Sequence, residues 1–144
     1  METKGRVLGV DYGDTRTGTA LSDPSRFLSS ALVCIKGGMR GVAKEIAILV
    51  KQHDVTLIVV GLPKNMDGSE GFRAERVRAF CDLLHEETPV EITLYDERLS
   101  TVEAHRMMTM TETYGKKRKE NIDNLSAQII LQDWLDRERK RHGN

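Results

Sequence analysis

The chain has 144 residues, with 22 lysines and arginines against 22 aspartates and glutamates, for a formal net charge of zero. That length predicts one domain over residues 1–144, able to bury roughly 70% of its unfolded surface without a disulfide or a structural metal. Apolar residues at 39% and charged residues at 31% exclude a disordered or fibrous chain, and the zero total gives no argument from bulk charge toward a nucleic-acid or basic partner.

Residues 1–6 are polar and run straight into a strand-like segment, without the pattern of a signal peptide. Residues 6–10 are β-rich and end in Asp11-Tyr12-Gly13. Residues 15–21 carry β-branched side chains between turn signals and predict the second arm of a hairpin. Residues 28–35 predict a third strand, closed by Gly37-Gly38. Val42, Ile46, Leu49 and Val50 then recur at helical spacing. The continuous apolar run 55–60, bounded by Gly61 and Pro63, fits a central strand covered on both faces. Even extended to residue 62 it falls far short of the ~20 residues of a membrane span. Val77, Phe80, Cys81 and Leu84 mark a helix stripe, and residues 90–95 a fifth strand. Ser100-Thr101-Val102-Glu103 is a capping-box pattern that starts another helix, with Met107, Met108 and Met110 in the core or at its margin. Residues 111–120, with Gly115 and four consecutive basic residues, read as a loop, and a last helix runs from about residue 122 to about 137. The order βββ-α-β-α-β-α-α predicts an α/β fold: a mixed five-stranded sheet with helices on both faces. Cys34 and Cys81 lie in apolar patterns without a second ligand, so both are expected reduced and buried, in the cytoplasm. No histidine pairs with a cysteine at zinc spacing.

Three acids stand out by position. Asp11 ends the first strand, on the face of Val7 and Gly9. It could serve a site at the sheet edge or simply initiate a turn. Asp96 and Glu97 end the fifth strand on opposite faces, and alternation does not decide which of them points at a site; Asp96 could instead pair with Arg98. Asp123 shares a helix stripe with Ala127, Ile130 and Trp134, whereas Gln128, Gln132, Asp133 and Asp136 occupy the positions expected to be exposed. Its place in a first helical turn suits the helix dipole, but that does not explain a carboxylate on an apolar stripe. Three converging carboxylates repel one another unless a cation joins them, and oxygen-only ligation favours Mg²⁺ or Mn²⁺. Such a centre suits phosphodiester hydrolysis.

Taken together, several motifs are far more specific than any one of them. These are Gly9-Val10-Asp11-Tyr12-Gly13, Gly61-Leu62-Pro63 followed by Asn65-Met66-Asp67-Gly68-Ser69-Glu70-Gly71, Asp96-Glu97-Arg98-Leu99-Ser100-Thr101, and Lys117-Arg118-Lys119 ahead of Ile122-Asp123. The combination, over nearly the whole chain, resembles the YqgF (RuvX-like) family of bacterial ribonuclease H-like proteins. The resemblance implies a ribonuclease H-like fold and a nuclease dependent on Mg²⁺ or Mn²⁺. It implies a role at the 5′ end of precursor 16S ribosomal RNA, with Holliday-junction resolution or DNA repair as the alternative. It implies Asp11, Glu97 and Asp123 as catalytic and metal-binding residues, with Asp96 the lesser candidate beside Glu97.

The remaining candidates are nucleic-acid contacts. Asn65 lies in a loop expected to be flexible, with exposed N–H groups before a helix, where a phosphate could sit as well as a plain turn and cap. Arg98 could position a phosphate or pair with an acid. Lys116, Lys117, Arg118 and Lys119, directly before Asp123, suit a clamp on a nucleic-acid backbone or a solvated loop. Tyr12 and Tyr114 could each stack on a base, yet the sequence shows no stacking platform. The expected partner is nucleic acid, structured RNA or branched DNA, with no membrane and with the protein a monomer or homodimer. Two other classes compete. A phosphotransferase of the sugar-kinase or actin type also opens on Asp-x-Gly but uses two such domains. A non-catalytic binding module would have no need of three acids. By segment, residues 85–114 carry 2 basic and 7 acidic residues, whereas residues 115–144 carry 8 and 5. That distribution is compatible with an acidic centre filled by metal beside a basic clamp.

Overall fold

A computed structural model describes residues 5–100 and 116–142, and for residues 116–123 the backbone alone. The elements are β1 (Arg6–Asp11), β2 (Arg16–Ser22), β3 (Ser29–Lys36), α1 (Met39–Gln52), β4 (Val55–Leu62), α2 (Phe72–Glu87), β5 (Glu91–Asp96), a one-turn 3-10 helix (Glu97–Leu99) and α3 (Lys116–Arg141). They form one five-stranded sheet in the order β3-β2-β1-β4-β5. The first three strands meander antiparallel, while β1, β4 and β5 run parallel. The expected α/β architecture, a mixed sheet with helices on both faces, is the one observed. The helix expected from Ser100, with Met107, Met108, Met110 and Tyr114, falls on residues 101–115, outside those described.

Alternation along the strands divides the core in two. Leu8, Val10, Ile58 and Val60 face α1 and α2, where Ile46 and Phe80 cover them. Val7, Leu57, Val59 and Tyr95 face the other way, against Ala127, Ile130, Leu131 and Leu135 of α3. Two glycines set how closely α3 lies on the sheet. A Cβ at Gly9 would stand 2.7 Å from Leu131 Cβ, and one at Gly61 would stand 2.7 Å from Ile130 Cδ1. No described helix is long and apolar enough to cross a membrane.

Helix α3 departs from the expectation at both ends. It begins at Lys116 instead of about residue 122, so the basic run is helix and not loop, and it continues to Arg141. Lysine, arginine and glutamate are good helix formers, and neither glycine nor proline interrupts residues 116–141. Gln128, Gln132 and Asp133, expected to be exposed, are half-buried and bonded to the sheet side of the protein. Gln132 accepts from the Ser29 N–H at 2.9 Å and donates to the Phe27 carbonyl at 2.9 Å, while Gln128 donates to the Ser29 carbonyl. Asp133 accepts from the Tyr95 hydroxyl, whose pKa burial and this carboxylate push up to about 12. Gln132→Ala should cost about 1–2 kcal/mol by leaving the buried Ser29 N–H at the start of β3 unpaired. A lower urea midpoint at unchanged slope would show it. Cys34 and Cys81 form no disulfide and are only half-buried, a milder burial than expected, and burial still pushes the Cys81 thiol up to about 11.

Candidate active site

Asp11 closes β1 on the α3 side of the sheet, following Val7 and Gly9 along that face, and is 7% exposed. Glu97 opens the 3-10 turn after β5 and is 3% exposed. Strand β4 lies between them. Val10 pairs with Val60 and Gly61 pairs with Tyr95, so Gly61 sits one step beyond the Val10–Val60 pair, between the two acids. Glu97 Oε2 lies 3.0 Å from the position a Gly61 Cβ would take, in space that any other residue would fill. The two carboxylates therefore lie at the carboxyl ends of three parallel strands, on one face, where open α/β sheets place their sites.

Asp96 points elsewhere. It accepts from the Arg98 backbone N–H at 3.0 Å and forms an ion pair with the Arg98 guanidinium at 2.8 Å. Arg98 holds the Asp96 carboxyl below the usual carboxylate range. Glu97 is thus buried beside Gly61, while Asp96 and Arg98 hold each other. Arg98 also donates from Nη1 to the Met66 carbonyl at 3.4 Å, which ties the Asn65 loop to the end of β5.

Asp123 lies in α3, on the turn before Ala127; its side chain is outside the described atoms. Its neighbours locate that turn. Ala127 and Leu131 lie on Gly9, and Ile130 on Gly61. Further along, Arg139 donates to the Arg26 carbonyl, and Arg26 reaches the Gly5 carbonyl at the start of β1. Helix α3 thus runs antiparallel to β1, and its early turns lie toward the Asp11 end. Because the helix starts at Lys116, Asp123 is about two turns inside it, and the helix-dipole account of this acid does not apply. Lys116, Lys117, Arg118 and Lys119 form the first turn of α3, with side chains outside the described atoms. Among the described residues no three His, Cys, Asp or Glu side chains cluster.

Asn65 holds a closed turn instead of a flexible loop. Its N–H donates to the Ser69 carbonyl and its carbonyl accepts from the Gly68 N–H, both at 2.9 Å, while its side chain donates to Ser69 Oγ at 3.0 Å. Gly68, at φ +90°, makes the reversal possible. Helix α2 begins at Phe72, with Gly71 at its N-cap and no side-chain cap. Between this turn, α2 and Glu97 lies a cleft of about 630 Å³, lined by Lys64, Asn65, Phe72, Arg73, Glu97 and Arg98 among others. Tyr12, a candidate for base stacking, is instead stacked on Phe80 in the core, with ring centroids 4.6 Å apart. Gly61, read in the sequence only as a strand boundary and a motif residue, and Phe72 are absent from the candidates that the sequence offers. Glycine directly after the buried run was the available signal for the first.

Residues 5–137 match the model of the RuvX family, described as a Holliday junction resolvase. The chain belongs to the RuvX family. Among curated relatives, one from Halothermothrix orenii is 42% identical over 139 residues, covering 96% of this chain and 99% of its own. Another from Roseiflexus sp. is 44% identical over 136 residues, covering 94% and 96%. Both carry the name "Putative pre-16S rRNA nuclease". Thermus thermophilus RuvC, solved with a Holliday junction substrate, superposes with a TM-score of 0.59 at 12% identity, covering 96% of each chain. That likeness shows the ribonuclease H-like fold. As a member of RuvX, the chain is a nuclease.

Proposed function

We propose that this RuvX chain is a divalent-metal-dependent nuclease that processes the 5′ end of precursor 16S ribosomal RNA, with Asp11, Glu97 and Asp123 as its catalytic and metal-binding acids. The observation that carries the proposal is the pair of buried carboxylates flanking Gly61 at the carboxyl ends of β1 and β5. Two such charges favour a cation between them. The donors fit Mg²⁺ or Mn²⁺: they are oxygens only, and Gly61 leaves the space that Glu97 occupies. The metal, when bound, supplies a nucleophile at neutral pH and charge compensation on the phosphoryl oxygens. Asp11, at the end of β1, and Glu97, in the turn after β5, hold their oxygens in place, and the face of α3 keeps that side of the sheet dry.

The basic first turn of α3 supports a polyanionic partner. Cations at a helix N-terminus carry the unfavourable sign for its dipole, and a phosphate backbone laid across them reverses that balance. The relatives' name favours ribosomal RNA precursor as substrate, and the family description keeps a four-way DNA junction as the second reading. Both should be incubated side by side with Mg²⁺, with Mn²⁺ and with EDTA, using Asp11→Asn as control. The expected result is metal-dependent shortening of the RNA at its 5′ side by the wild type alone. Cutting in EDTA, or by Asp11→Asn, would sink the proposed centre, and cutting of the junction alone would reassign the substrate.

A further inference from the structure

The cleft beside Glu97 carries two large apolar side chains that folding leaves in water. Met66 is 94% exposed and Phe72 is 72% exposed. One such residue on a surface needs no explanation, but both line the same cleft, and a buried acid of the proposed centre forms part of its wall. Cations line it too: Lys64, Arg73 and Arg98. The Arg76 guanidinium lies 6.0 Å from the Phe72 ring centroid and steadies the ring from within α2. An apolar peptide would use Met66 and Phe72 and gain nothing from the cations. A duplex would use the cations, but its paired bases present no free face. An unpaired nucleotide offers a flat apolar face and a phosphate together, and a cleft of about 630 Å³ has room for one.

We propose that this cleft is a binding site for an unpaired nucleotide, stacked on Phe72 against Met66, next to the phosphodiester that is cut. The inference rests on the nuclease reading above and deepens it: the substrate is a strand with an unpaired nucleotide beside the scissile bond. Phe72 and Met66 then set selectivity for single-stranded over fully paired ends, while Lys64 and Arg73 contact the phosphates flanking the stacked base.

The test uses the full chain in EDTA, so that binding is read without cutting. Two RNA duplexes serve as probes, one blunt and one with a short single-stranded tail carrying 2-aminopurine. The wild type should bind the tailed probe about 5- to 10-fold more tightly than the blunt one, the lower end of base–aromatic stacking, and should quench the probe's fluorescence. Phe72→Ala should remove both the preference and the quench. Phe72→Trp should keep both, and Phe72→Leu, with apolar bulk but no ring, should lose the quench. The position is exposed, so unchanged melting temperatures would confirm that the variants fold. Equal wild-type affinity for the two probes, binding of neither, or a tail preference that survives Phe72→Ala would overturn the inference. Cleavage by Asp11→Asn would count against the nuclease centre alone and leave the Phe72 result standing.

Discussion

Asp11→Asn, Glu97→Gln and Asp123→Asn should each lower the turnover number at least about 100-fold, which is about 2.7 kcal/mol of transition-state stabilisation. None of the three should unfold the protein. Each exchange keeps the side chain's size while replacing one acceptor oxygen by an NH2 donor and removing the charge that would hold a cation. The distinguishing measurement is thermal. Millimolar Mg²⁺ should raise the melting temperature of the wild type by mass action, and it should leave the Asp11→Asn and Glu97→Gln proteins unmoved. Asp96→Asn is the matched control. Its carboxylate is taken up by Arg98 on the other side of the strand end, so cleavage should stay within a few-fold of wild type. Turnover lost in Asp96→Asn and kept in Glu97→Gln would reverse the roles of the two neighbours.

Substitution of Gly61 should separate stability from activity. A methyl there would stand 2.7 Å from Ile130 Cδ1 and 3.0 Å from Glu97 Oε2. The isoleucine contact is with the far end of a flexible side chain, so Gly61→Ala should cost only about 1 kcal/mol, at the low end for overpacking. The carboxylate has less freedom, because a proposed ligand must be held to within about 0.5 Å of its productive position. Cleavage should therefore fall about tenfold or more, and the Mg²⁺ concentration giving half-maximal rate should rise. Adding Ile130→Val to Gly61→Ala should recover the melting temperature, since it removes the methyl that clashes. It should not recover cleavage. Parallel recovery of both would mean that Gly61 matters only for seating the helix.

Much of this architecture was legible in the sequence, because it rests on period-two alternation and on punctuation by glycine and proline. The meander, the buried run of β4 and the face shared by Val7, Gly9 and Asp11 all follow from those patterns. The choice between Asp96 and Glu97 did not, since both close the same strand and one turn of 3-10 helix beyond it decides their directions. Helix α3 was misread at its start because four consecutive cations resemble a solvated loop by composition, although each is a good helix former. Gln128 and Gln132 looked like surface residues because their polarity was visible, while the β3 backbone groups they satisfy were not. Phe72 gave no periodic signal, and only its place beside the cleft makes its exposure informative.

Among the described residues, α3 is the helix packed against the face of the sheet that carries Val7 and Val59. Ile130, Leu131 and Leu135 contribute roughly 1.5–3 kcal/mol each on burial there. Their sum is of the same order as the whole stability of a small domain, about 5–15 kcal/mol. A state with α3 detached is thus close to global unfolding in free energy, and the chain has little room for a partly open form that still holds its acids together. Amide exchange at Val7 and Val59 should then track exchange in α3 as one cooperative unit. Inactivation by heat or urea should coincide with that unit's opening, with no inactive but folded species in between.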